Sequence, residues 1–288
     1  MAVVRIEGLP AIAELEQEGY TFSEKTEGAL KVAVMNLMPL KEQTERQLLR
    51  RMAAAEPLVD ITFLTTETYR STHVDPAHLE RFYTTFSKIR HEKWDGLIIT
   101  GAPVENMEFE EVSYWNELAD LVLWSKENVR SVLHICWGAQ VGLYYHYGIP
   151  KKPLPQKQFG IFPHEVTANC PLSTDMKPFV TPHSRHTYTP KEEILKHDQL
   201  QIVAESAMAG VYLVLDEAER RIFVTGHSEY DADTLDKEYR RDLAKGLPIQ
   251  MPYNYYPNDD ESLAPPNVWS DHSETLFNNW IKYYVLAD

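Results

Sequence analysis

The sequence is short of cysteine, short of positive charge and without a long apolar run, and each shortage removes a class of protein. Only two cysteines occur in 288 residues, Cys136 and Cys170. A disulfide between them is formally possible but disfavoured in a reducing compartment, and two cysteines alone do not build a structural zinc site. No stretch approaches the roughly 20 apolar residues that span a bilayer. The N-terminal stretch MAVVRIEGLPAIAELEQEGY carries acids within its only apolar run and lacks the features of a secretory signal. A cytoplasmic location is expected. Lys and Arg number 28 against 43 Asp and Glu, a formal charge of −15. A surface this acidic repels a phosphate backbone, which argues against nucleic acid as a partner. A local basic cluster would still suffice for a small anion.

What is present is a chain with 43% hydrophobic residues, enough for one large core. A single domain over residues 1–288 is expected, with a polar lead-in over about 1–28 and an aromatic C-terminal extension over about 250–288. The apolar runs Val32–Met35, Val59–Leu64, Gly96–Thr100 and Ser131–Ile135 read as buried strands. Helical spacing appears over 41–54, with Leu48, Leu49 and Met52 on one face, then over 76–90 and over Val112–Trp124. Apolar strands alternating with helices predict an α/β fold with a mostly parallel central sheet flanked by helices. Val211–Leu215 and Arg221–Thr225 read as an antiparallel hairpin at one side of that sheet. The tail predicts a helix carrying Leu276, Trp280, Tyr283 and Tyr284, aromatics that suit packing better than base stacking.

The strongest local signal is His134-Ile135-Cys136-Trp137-Gly138-Ala139-Gln140. An apolar strand delivers Cys136 to a turn, and residues 139–147 suit a helix. Sites in parallel sheets form at the carboxyl ends of strands, and a helix N-terminus favours thiolate over thiol. The Trp137 N–H is then a natural oxyanion donor. A lone cysteine on an apolar strand is more often an inert core residue. The second segment, Gly226-His227-Ser228-Glu229, changes that balance. His227 titrates near working pH and serves as general base and acid. Glu229 can fold back to hold the imidazole's orientation. A strand-end cysteine together with a strand-end His-X-Glu points to nucleophilic catalysis. Cys170 has no such setting.

These two segments resemble the class I glutamine amidotransferase-like (flavodoxin-like) group, except that His134 stands where glutaminases usually carry glycine. A closer resemblance covers nearly the whole chain, to the homoserine O-acyltransferases of methionine biosynthesis. It is carried by Asn36-Leu37-Met38-Pro39 with Lys41, Thr44 and Glu45; by Asp95–Pro103; by Tyr147–Lys151; by Pro182-His183-Ser184-Arg185; by the His227 segment; and by Pro252-Tyr253-Asn254-Tyr255. The resemblance implies Cys136 as acyl-thioester nucleophile, His227 as proton acceptor and Glu229 as its partner. It places Lys157, Ser184 and Arg241 at substrate-contacting positions, where a guanidinium suits the carboxylate of homoserine. Lys151, Lys152 and Lys157 are a candidate basic cluster for coenzyme A phosphates. A homodimer is implied at the family level.

The resembling family divides between succinyl-CoA and acetyl-CoA users, and succinyl users tend to carry glycine just after the Gly-Ala-Pro loop. Here that position is Glu105. Its carboxylate would repel a succinyl tail by about 4 kcal/mol at roughly 4 Å and an effective dielectric near 20. Acetyl-CoA is therefore the expected donor and L-homoserine the acceptor, in a ping-pong reaction with Trp137 and Ala102 N–H groups holding the oxyanion. No metal and no bound cofactor is expected. Homoserine O-succinyltransferase on the same site is the alternative, and a glutaminase the next. A cysteine hydrolase and a non-catalytic binding protein are weaker rivals.

Overall fold

A computed structural model describes residues 3–53, 56–69 and 74–286. Among the described residues ten strands form one sheet: β1 Leu30–Met35, β2 Val59–Thr65, β3 Tyr83–Thr85, β4 Trp94–Ile99, β5 Val129–Ile135, β6 Lys152–Val166, β7 Phe179–Tyr188, β8 Leu200–Ser206, β9 Gly210–Asp216 and β10 Arg221–Val224. Their spatial order is β3-β2-β1-β4-β5-β10-β9-β8-β6-β7. From β3 to β10 every pairing is parallel, and from β10 to β7 every pairing is antiparallel. The helices are α1 Pro10–Gln17, α2 Lys41–Met52, α3 Pro76–Phe82, α4 Phe86–Ile89, α5 Trp115–Asn128, α6 Trp137–Tyr147, α7 Lys191–Ile194, α8 Thr234–Ala244 and α9 Ser270–Trp280. No described helix is long and apolar enough to cross a membrane.

The parallel half is covered on both faces, which is why its strands read as continuous apolar runs. Successive side chains alternate between the two faces. Val32 and Val34 of β1 pack with Leu48, Leu49 and Met52 of α2 and with Leu276, Phe277 and Trp280 of α9. Ala33 and Met35 pack on the opposite side with Leu118, Leu121 and Val122 of α5. The indole N–H of Trp280 donates to Ser131 Oγ at 3.0 Å, so the aromatic tail lies in the core. The lead-in is equally integral: Ala11, Ile12 and Leu15 of α1 are buried.

Two expectations need correction. Residues 76–90 do not form one helix, because Tyr83–Thr85 pairs with β2 as an edge strand. The buried Tyr83 hydroxyl donates to Glu45 at 2.6 Å, and that tertiary contact overrides the helical spacing. The hairpin of β9 and β10 does not lie at a side of the sheet. Instead β10 sits in the middle, parallel to β5 and antiparallel to β9, and joins the two halves. Residues 151–210 hold β6, β7 and β8 yet carry no clear strand period. Their polar faces (β6 alone has Lys152, Gln156, Lys157 and Gln158) break the apolar pattern.

Candidate active site

Cys136 stands between β5 and α6 with φ 52° and ψ −114°. A positive φ is costly for a non-glycine residue, and such strain gathers where a side chain must be presented to a ligand. The turn closes tightly: a Cβ on Gly138 would lie 2.5 Å from Ile99 O and 2.8 Å from Thr100 O. The Cys136 N–H donates to Val224 O at 2.7 Å, tying the elbow to the end of β10. Three residues on, the His227 N–H donates to Pro182 O of β7 at 2.9 Å. Both side chains meet over Gly101, where an added Cβ would lie 3.3 Å from Cys136 Cβ and 3.5 Å from His227 Cε1.

His227 Nδ1 and Glu229 Oε1 are 2.7 Å apart, both residues buried. That contact leaves Nε2 as the ring nitrogen available to Cys136. Burial is the largest influence on His227 and pulls its pKa down, but the Cys136 and Glu229 charges together outweigh it and hold the pKa well above the ordinary value. The loop that carries the pair is anchored by α2. Arg46 Nη2 lies 2.7 Å from Asp231 Oδ2, Arg50 pairs with the same carboxylate, and Arg51 Nη2 donates to Tyr230 O at 3.2 Å. Nothing local in the sequence marked these arginines. The backbone N–H groups of Ala102 and Trp137 have no acceptor among the described residues.

A cleft of about 530 Å³ opens beside Cys136 and His227. Lys157 from β6, Ser184 from β7 and Arg241 from α8 all line it, as does Glu105. The register Phe159↔Ser184 sets Lys157 and Ser184 at the same end of the β6–β7 hairpin. A fourth residue, absent from the sequence reading, links them. Glu238 Oε1 is 2.5 Å from Lys157 Nζ and accepts from Ser184 Oγ at 2.8 Å. Arg241 Nη2 lies 3.7 Å from the same oxygen and 2.7 Å from Asp242 Oδ1. Its only sequence signal was the i, i+3 spacing of Glu238 and Arg241. Arg185 was likewise not singled out for a role. It is buried, and its acceptors among the described residues, Gln158 Oε1 and Ala209 O, are neutral. Burial lowers its pKa to about 10, and the field of Cys136 works in the opposite direction.

The proposed basic cluster does not form. Lys151 Nζ donates to Met107 O at 2.7 Å and Lys152 lies 3.6 Å from Glu192, while only Lys157 reaches the cleft. Between Lys152 and Lys157 the β6–β7 register shifts, at an irregularity between Pro153 and Gln158. Cys136 and Cys170 are both free thiols. His134 is buried, stacks on Phe223 with ring centroids 4.9 Å apart, and places Nδ1 3.2 Å from Gly138 O behind the elbow.

The model of the homoserine O-succinyltransferase family matches residues 3–288. The chain belongs to that family. Two relatives of this homoserine O-succinyltransferase family member are named homoserine O-acetyltransferase. The one from Lachnoclostridium phytofermentans is 52% identical over 285 residues, covering 96% of this chain and 95% of its own. The one from Geobacillus kaustophilus is 52% identical over 288 residues, covering 97% and 95%. Among solved structures, a glutamine amidotransferase from Thermotoga maritima superposes with a TM-score of 0.61 at 12% identity, over 91% of this chain and all of that one. That likeness extends to the fold of the family, a class I glutamine amidotransferase-like sheet.

Proposed function

We propose that the protein is a homoserine O-acetyltransferase of methionine biosynthesis. The observation that carries the reading is the meeting of Cys136, His227 and Glu229 at one end of the acceptor cleft. The Cys136 thiolate attacks the thioester carbonyl of acetyl-CoA. Coenzyme A leaves as thiolate and takes a proton from His227 Nε2, leaving an acetyl-cysteine. The homoserine hydroxyl then gives its proton to Nε2 as its oxygen attacks the acyl carbon, and Cys136 departs as thiolate. The Trp137 and Ala102 N–H groups meet the oxyanion in both halves, each such donor contributing about 3–4 kcal/mol. Lys157, Ser184 and Arg241 seat the homoserine. The cycle uses these groups alone, with acetyl-CoA consumed as substrate, and belongs in the cytoplasm.

The donor assignment rests on Glu105, which is half-buried and lines the cleft. Its charge reaches Tyr230, beside the histidine. A succinyl tail entering the cleft meets that carboxylate, whereas an acetyl group carries no charge to be repelled. The relatives named for acetyl transfer support this choice, and the family's succinyl name keeps the other donor as the alternative. The test mixes purified protein with acetyl-CoA or succinyl-CoA, with and without L-homoserine, and follows release of coenzyme A thiol. Homoserine-dependent release from acetyl-CoA, with an acetyl adduct on Cys136 by intact mass and none in Cys136→Ala, is the expected result. Release from succinyl-CoA alone overturns the donor. No release from either overturns the reaction, and glutamine is then the substrate to try.

A further inference from the structure

The cleft beside Cys136 adjoins a second space. A groove of about 920 Å³ lies between residues 154–158 at the start of β6 and residues 248–253, and Lys157 and His186 line both spaces. Its character departs from that of the chain. Asp and Glu number 43 in 288 residues, yet none lines this groove among the described residues. Instead Met208, Met251 and Tyr253 stand there 52%, 37% and 48% exposed. Large apolar side chains left open together mark a ligand surface, and methionine adapts to an irregular ligand.

Tyr253 belongs to Pro252-Tyr253-Asn254-Tyr255, a stretch that carries the family resemblance and takes no part in the chemistry above. The backbone fixes it in place. Tyr253 N–H donates to Phe159 O at 2.9 Å, and Ile161 N–H donates to Tyr253 O at 2.8 Å. The crossing requires Gly160, whose φ is 138° and whose added Cβ would lie 2.3 Å from Tyr253 N. The tyrosine ring stacks on Phe162 with centroids 5.3 Å apart. Gln250 Nε2 and Gln156 Oε1 meet at 3.5 Å, a long contact that leaves further amide donors and acceptors on both side chains.

The first half-reaction needs a surface of this kind. The acyl donor brings a thioester to Cys136 and trails a pantetheine arm, in which two amides alternate with methylene and methyl groups before the phosphates begin. An anionic ligand of that build suits an apolar, amide-bearing channel free of carboxylates. The other space next to the cleft, beyond Met38 and Pro103, is only about 250 Å³ and has Glu111 in its wall.

We propose that the groove between residues 154–158 and 248–253 holds the pantetheine arm of the acyl-CoA donor while its thioester lies in the cleft. The inference rests on the acyl-CoA reading above. Met208, Met251 and Tyr253 pack on the methylene and methyl groups, and Gln156 and Gln250 meet the amides. Binding of the arm then holds the thioester against Cys136 and speeds acylation.

The test follows acetylation of Cys136 by intact mass, with no acceptor present, in wild type, Met208→Glu and Tyr253→Ala. Two donors are compared: acetyl-CoA, and S-acetyl-N-acetylcysteamine, which keeps the thioester and lacks most of the arm. Wild type is expected to react at least about 100-fold faster with acetyl-CoA, since binding of remote groups accelerates the reacting centre. Met208→Glu sets a carboxylate against an anionic donor and should lose at least about 10-fold of that rate, with a loss of the same order in Tyr253→Ala. The short donor should react equally with all three proteins, which also reports an intact fold. Equal rates of wild type with the two donors overturn the proposal. So do wild-type rates with acetyl-CoA in both variants, or a loss that Tyr253→Ala shows equally with both donors. A smaller mass in solution for Met208→Glu, with its acetyl-CoA rate unchanged, assigns the groove to a second copy of the chain and overturns it too. If Met208→Glu reacts with neither donor, Tyr253→Ala decides by the same ratio. If wild type reacts with neither, the acyl-CoA reading is what fails.

Discussion

The imidazole of His227 lies flat on the phenol ring of Tyr230, with ring centroids 4.1 Å apart and planes 13° from parallel. The tyrosine is itself fixed, because its carbonyl accepts from Arg51 at 3.2 Å and from the Trp269 indole at 3.0 Å. With Glu229 on its edge, the imidazole is held from two directions. Tyr230→Ala frees it to tilt, and a misplacement of about 1 Å costs roughly 100-fold in rate. Transfer to homoserine should fall by about that factor, and Tyr230→Phe should stay close to wild type. Steady-state kinetics on both variants checks this; equal losses would mean that the hydroxyl matters and the stacking does not.

The proton on His227 is held against burial by the charges of Cys136 and Glu229. Glu229→Gln removes one of these, so the imidazole pKa should fall and the alkaline limb of Cys136 acetylation should move to lower pH. Stability follows the same sign. A histidine pKa raised in the folded state contributes stability that is complete below about 6.5 and is lost as pH rises through the folded value. The variant should lose its share at lower pH than wild type does. An NMR titration of His227, beside thermal unfolding at several pH values, reads both effects.

Acid should act in the opposite sense through other histidines. Burial lowers the pKa of His134 to about 3, of His146 to about 2, of His164 to about 4 and of His272 to about 3. Each takes up a proton on unfolding once pH drops below about 6.5, and each then removes about 1.4 kcal/mol per pH unit until its folded pKa is reached. Unfolding in urea should show stability falling steeply from pH 6.5 toward pH 4. Neither ring nitrogen of His146 has a hydrogen-bond partner among the described residues. His146→Leu should therefore make the slope shallower at little cost at pH 7. An unchanged slope would show that His146 is not among the responsible groups.

Glu105→Gly removes the carboxylate that lines the cleft. Use of succinyl-CoA should rise by at least about 100-fold in kcat/KM, given a repulsion of roughly 4 kcal/mol discounted for partial exposure, while acetyl-CoA remains a substrate. If the variant still rejects succinyl-CoA, the donor is selected by cleft shape.

The parallel half of the sheet was legible because burial on both faces leaves strands such as Trp94–Ile99 ending in little but apolar residues. Cys136 and His227 were legible for the same reason, as polar interruptions where such strands stop. Lys152–Val166 was not, since a strand carrying Lys157 and Gln158 beside two prolines matches no single period. Glu238 was hidden differently. On the helix Thr234–Ala244, with its sequence TLDKEYRRDLA, it is one charge among many and reads as a solvated face. Only the arrival of Lys157 and Ser184 from a distant hairpin sets it apart, and that convergence is a property of the fold.

The position of β10 divides the labour of the molecule. Cys136 directly follows β5 and His227 lies three residues past the end of β10, two adjacent parallel strands whose register sets Ile135 opposite Val224. Lys157, Ser184 and Arg241, the proposed acceptor groups, come from β6, β7 and α8, beyond that seam. The proposed reactive pair is therefore held by backbone hydrogen bonds, Cys136 N–H to Val224 O and His227 N–H to Pro182 O, and the proposed recognition surface by side chains on separate elements. Such a chassis can be refitted for another alcohol by exchanging residues on one side of the seam, while the thiol and its base stay in tune.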